Sequence, residues 1–206
     1  MTITYPLSLP AVGGIRRIRL TARNVVGVSV SPFTLGQQVY QHQGQSWEAD
    51  ITLPPMKRAD AEEWIAFLLS LAGRYGTFLL GDPAGTTARG ALGGTPLVNG
   101  ASQSGQSLAV DGWTASVTSI LRAGDYIQIG SGTATRLHKV LKTVNSNGSG
   151  QTTLDIWPRL RETPADNAAV TTANCVGTFR LAGNATDYDI NEASVYGIVF
   201  AAVEAI

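Results

Sequence analysis

The chain has 206 residues, with 15 Lys+Arg balanced by 15 Asp+Glu and a formal net charge of zero. Charged residues make up 15 %, below the usual ~25 %, and 23 residues are glycine. This excludes the basic footprint of a free nucleic-acid binder and leaves a lightly charged surface that favours association in a protein of one or two domains. Cys175 stands alone, so no intrachain disulfide and no thiolate metal cluster is expected. The opening Met1-Thr2-Ile3-Thr4-Tyr5-Pro6 lacks the basic and long apolar stretches of a signal peptide. No apolar run approaches ~18 residues. The expectation is a protein made in the cytoplasm, with no membrane span.

Most segments read as strands. Ile18, Leu20 and Ala22 alternate with Arg17, Arg19, Thr21 and Arg23 at period two, and Val25 to Val30 continues to a stop at Ser31-Pro32. Val39–Gln43 and Ser46–Leu53 flank Gly44-Gln45, which reads as a hairpin turn, and Pro54-Pro55 ends the second run. One helix is predicted over 60–72. Trp64, Phe67, Leu68 and Leu71 fall on one face, Asp60 and Glu63 have capping-box spacing, and Gly73 follows as a stop. Tyr75–Leu80 is a short strand, and Ala84–Gly94 reads as a linker. Beyond it, Ser107–Gly112, Tyr126–Ile129, Thr135–Leu141 and Thr152–Trp157 are short strands at the spacing of a small barrel or sandwich, the last stopped by Pro158. Thr178–Leu181 and Ser194–Val203 are the final strands. The last, apolar throughout, reads as a central strand buried on both sides.

Two organisations fit this pattern. Two β domains in series would split near residue 90. Alternatively, a β module over 95–165 is inserted in a β domain made of 1–90 and 166–206. The second is preferred, because the closing apolar strand completes the sheet begun at the N-terminus.

Candidate chemistry is sparse. His42 and His138 are the two histidines, both in strands, and no Gly-x-Ser-x-Gly elbow accompanies them. The expected reading of each is a solvated or hydrogen-bonded strand histidine; hydrolysis through either is the least favoured alternative. Asp187–Glu192 lacks the glycine turn and ligand spacing of a calcium loop and reads as a turn. The glycine-rich Gly81–Gly85 and Gly130–Gly132 precede no helix and carry no Lys-Ser/Thr, so they read as loops. No catalytic, metal or cofactor-binding residue is assigned. Arg17, Arg19 and Arg23 share one strand face, as a subunit contact, a lining for passing DNA, or a charge-blunted edge strand. Trp113, Trp157 and Tyr126 offer a glycan-stacking platform, with core packing the commoner role of such aromatics.

Several segments taken in order resemble a known family. They are Arg23-Asn24-Val25-Val26-Gly27-Val28, Trp47-Glu48-Ala49-Asp50 running to Leu53-Pro54-Pro55-Met56, and Ala61-Glu62-Glu63-Trp64-Ile65-Ala66-Phe67-Leu68. Gly76-Thr77-Phe78-Leu79-Leu80-Gly81-Asp82-Pro83, Arg122–Ile129 and Asp155–Arg161 follow. The series resembles the distal tail proteins of long-tailed bacteriophages and prophages. That resemblance implies a mainly β fold: an N-terminal β-sandwich with one packed helix, plus an inserted or appended small β-barrel. It implies a ring, commonly a hexamer, at the virion tail tip, joining the tail tube protein to the tip or hub proteins around the DNA channel. The DNA would pass without sequence-specific binding. It carries no active-site residue and no cofactor. A glycan-binding module of the tail, and a tail-tube or tail-terminator protein, are the alternatives.

Overall fold

The computed structural model describes residues 3–206; Met1 and Thr2 of the opening segment lie outside them. The chain is mainly β, with one packed helix, and its strands fall into two sheets. The first sheet is built from β1 (Arg17–Val30), β2 (Gln37–Thr52), β3 (Met56–Lys57), β4 (Phe78–Leu80), β11 (Gly177–Leu181), β12 (Tyr188–Ile190) and β13 (Val195–Glu204). Its order is β1-β2-β13-β11-β4. β13 serves two groups of partners. Its first residues pair with β12 and β3, and from Val199 onward it pairs with β2 and β11.

Helix α1 (Arg58–Ser70) covers one face of this sheet with Ala61, Trp64, Ile65, Phe67 and Leu68. These pack among Ile51, Phe78, Leu80, Phe179 and Ile198. Trp64, Phe67, Phe78 and Phe200 form edge-to-face and tilted pairs with centroids 5.6–6.3 Å apart. The helix starts two residues before the predicted Asp60, and no side chain caps it. Lys57 occupies the cap position because its backbone is already held in β3 opposite Val195. Asp60 therefore lies in the first turn and acts on the helix dipole rather than as a cap. The N-terminal segment seals the sheet edge. Leu7 bridges the backbone of β4, and the Trp64 indole donates to the Val12 carbonyl at 2.8 Å. Among the described residues no helix is long and apolar enough to cross a membrane.

The second sheet has six strands: β5 (Gly94–Val98), β6 (Gly105–Trp113), β7 (Tyr126–Ile129), β8 (Arg136–Val140), β9 (Thr152–Leu160) and β10 (Val170–Thr171). The order β10-β7-β8-β9-β6-β5 curls into a nearly closed barrel. Its two end strands meet where Val98 N–H donates to Ala168 O and Asn167 N–H to Val98 O, each at 2.9 Å. Leu108, Val110, Ile127, Leu154 and Ile156 fill it. β10 lies past residue 165, within the stretch that the sequence reading returns to the first domain. Two residues are too short to show a period.

Three local expectations are corrected. Gly44-Gln45 is no hairpin turn, as developed below. β9 runs through Pro158 to Leu160, because the β6–β9 register shifts between Asp155 and Leu160 and a bulge tolerates the missing donor. β13 is central, but it is not buried on both sides: Tyr196, Ile198 and Ala202 are buried while Val199 and Ala201 face out.

The 84–94 stretch, predicted as a linker, does cross from sheet to barrel, and it is pinned. Asp125, buried in the barrel, accepts hydrogen bonds from Arg89 N, Arg89 Nε, Gly90 N and Arg122 N at 2.8–3.1 Å. Burial alone raises this carboxyl. The four donors outweigh it and hold the group below the ordinary carboxylate value.

Candidate functional site

β1 and β2 pair along their whole length, from Arg17 opposite Thr52 to Val30 opposite Gln37, with one register shift between Asn24 and Val26. On the inner side of that shift the ribbon belongs to the sheet. β13 reaches β2 only from Glu48 to Thr52. Beyond it, among the described residues, no other strand lies beside the ribbon, which projects as an arm of roughly 20 Å, at ~3.3 Å per residue. Gly44 lies at the shift because a Cβ there would meet Val25 Cγ2 at 2.8 Å. The true turn is Ser31–Gly36, closed by Ser31 N–H donating to Gly36 O at 2.9 Å and Leu35 N–H to Ser31 O at 3.0 Å.

From Asn24 to Gln45 the chain contains no Asp, Glu, Lys or Arg. From Ala22 to Gly44 every residue is exposed apart from half-exposed Gly27 and Ser31. The register puts Val26, Val28, Val30 and Val39 on one face of the arm. Val28 is 57 % and Val39 59 % exposed, and at the tip Phe33 is 94 % and Leu35 76 % exposed. An isolated two-stranded ribbon is marginal in water. Here it also carries an uncovered apolar face and, beyond the register shift, two unpaired backbone edges, the features that mark an interaction surface.

The root of the arm is the opposite. Asn24 Oδ1 accepts from Gln45 Nε2 at 3.1 Å and from the Trp157 indole at 2.9 Å. Gln45 Oε1 accepts from Arg159 N–H at 2.8 Å, and its carbonyl accepts from the Arg161 guanidinium. Arg161 Nη2 lies 3.0 Å from Glu204 Oε2, which also accepts from Trp47 N–H at 3.1 Å. The Trp47 indole donates to Leu137 O at 3.0 Å, and its ring meets that of Trp157 edge to face at 4.4 Å. Strands from both sheets are thus tied together where the arm leaves the body. The Arg161–Glu204 pair is almost wholly buried, so each charge depends on the other.

The candidate residues separate accordingly. Arg17 and Arg19 are exposed on the outer face of β1, and Arg23 pairs with Glu48 at 2.9 Å beside the root. Trp113 and Trp157 are buried, one in the barrel core and the other against Trp47. Neither presents a face to a sugar, so the stacking platform is withdrawn and core packing stands. His42 is exposed on the arm. His138 is buried in β8, with Nδ1 2.7 Å from the Pro158 carbonyl, so that nitrogen carries the proton. Burial pushes His138 down to about 4; the Pro158 carbonyl opposes this, and Arg161 and Arg136 reinforce it. It is neutral at pH 7. Burial likewise pushes the Cys175 thiol up to about 11, which keeps it protonated.

Sequence reasoning missed Asn24, Gln45 and Arg161 as the root, and Phe33 and Leu35 as the tip. The available signal was a 22-residue stretch, from Asn24 to Gln45, free of formal charge in a chain with 30 charged residues. No protein-family model matches the chain, and no curated protein matches it.

Proposed function

We propose that this chain is a structural component of a long-tailed phage tail tip, a ring-forming distal tail protein that links tail tube to tip proteins around the DNA channel. The observation that carries the reading is the arm: an uncharged ribbon with one apolar face and an apolar tip, held rigidly at its root. Such a ribbon is stable only when another surface covers it. A chain without net charge suffers little repulsion from its own copies. The ordered series of segments resembling distal tail proteins supports the same reading. Arg17 and Arg19 remain exposed cations for a subunit contact or for passing DNA.

Light scattering and negative-stain imaging of the purified chain test the proposal. A closed ring that docks on tail tube or tip proteins is the expected result. Monomers at every concentration, with no docking, overturn it. Open tubes would instead identify a tail-tube protein.

A further inference from the structure

The arm needs an occupant, and the same chain carries a surface that fits it. A cleft of about 330 Å³ opens between the N-terminal segment, α1 and the loops after β4 and before β11. Leu9, Pro10, Ile15, Trp64, Pro83 and Val176 form its apolar walls. Its one charged side chain, Asp82, already accepts from Ala84 N–H at 2.9 Å. An apolar ligand fits against these walls while Asp82 stays at the cleft's margin, held by that backbone bond.

The positions of arm and cleft set the geometry of the contact. The arm grows from β1 and β2 at one edge of the first sheet. The cleft lies at the other edge, beside β4. A contact between unlike surfaces at opposite edges is heterologous, so it passes from copy to copy and closes when the rotation permits. On the arm's one apolar face Val26, Val28, Val30 and Val39 are 48 %, 57 %, 48 % and 59 % exposed, and Phe33 and Leu35 at the tip 94 % and 76 %, together on the order of the 800 Å² per partner that a stable interface buries.

We infer that the arm of one copy lies along the next copy and seats its tip, Phe33 and Leu35, in that copy's cleft. This rests on the ring reading above and names the surfaces that make it. A second copy is favoured over a different partner because both surfaces are mainly apolar, because they lie at opposite edges of one sheet, and because both belong to every copy. The neighbour completes each arm, and each arm fills a neighbour's cleft.

Two variants test this in the full chain. Phe33→Asp spoils the arm tip and leaves the cleft intact. Thr86→Arg obstructs the cleft from an exposed position and leaves the arm intact. Both side chains are exposed, so each variant should give the far-UV circular dichroism of the wild type, and its melting temperature should match that of wild type diluted to monomer. Each variant alone should be monomeric by light scattering. An equimolar mixture should form a 1:1 pair, twice the monomer mass and no larger, since only one intact arm and one intact cleft can meet. An arm-to-arm contact gives no such rescue and is untouched by Thr86→Arg. If the wild type forms a ring while either variant keeps it, or while the mixture stays monomeric, this inference fails and the ring reading stands. If the wild type is monomeric at every concentration, both fail.

Discussion

One pair of strands leads two different lives on either side of a single bulge. Inside it, β1 and β2 alternate in the usual way: Ile18, Leu20, Ala49 and Ile51 turn toward the helix, and Arg17, Arg19 and Asp50 turn outward. Outside it, none of the described residues packs beneath the ribbon, and the valines stay exposed. The difference teaches that a strand's composition reports what will eventually cover it. The inner half is complete within one chain, whereas the outer half is apolar without a partner in its own fold.

The comparison can be broken most strongly at the root. Glu204→Ala leaves the Arg161 guanidinium buried without its carboxylate and should cost about 3–5 kcal/mol in denaturant unfolding. A loss below 1 kcal/mol would mean that the root does not hold the arm. Burial of His138, beside the root's Arg161, also sets a pH dependence. His138 falls from an unfolded value of 6.5 to about 4, so the unfolded chain takes up a proton that the folded chain refuses. Stability must therefore fall as pH drops through that window, by about 3 kcal/mol when complete. Replacing it (His138→Gln) keeps a donor for the Pro158 carbonyl and should remove this part of the difference between urea midpoints at pH 7 and pH 4. An unchanged slope would contradict the burial argument.

Asp125→Ala sharpens the contrast from the barrel side. It deprives the Arg89, Gly90 and Arg122 amides of their acceptor and should cost about 2–3 kcal/mol. The smallest effect belongs to the arm. Val28→Thr at its exposed centre should change monomer stability by less than about 0.5 kcal/mol in thermal unfolding. A large loss there would show that the arm packs on its own body.

Much of the architecture was legible. The single helix followed from Trp64, Phe67 and Leu68 at helical spacing, and the barrel strands from short β-rich runs between turns. What failed was local and had a tertiary cause. Gly44 looks like a turn residue because glycine commonly is one; it is a bulge glycine because Val25 crowds it from the partner strand. Asp60 looks like a cap, but the sheet had already claimed Lys57. Trp157 packs in the core, the favoured of its two readings, but its partners Trp47 and Asn24 lie over a hundred residues away in sequence and were not legible. The root was illegible for the same reason: Asn24, Gln45, Arg161 and Glu204 share no sequence window. The arm's lack of charge was visible, but a strand's exposure appears only once the sheet around it is known.

Amide hydrogen exchange along the arm, followed as a function of protein concentration, tests the central claim most directly. If the arm is covered only by another copy, amides of residues 25–30 and 37–43 exchange fast in dilute monomer. They become protected as the assembly forms, while those of residues 46–52 stay slow throughout. Arm amides that are slow already in the monomer, or that stay fast in the assembled state, would contradict it.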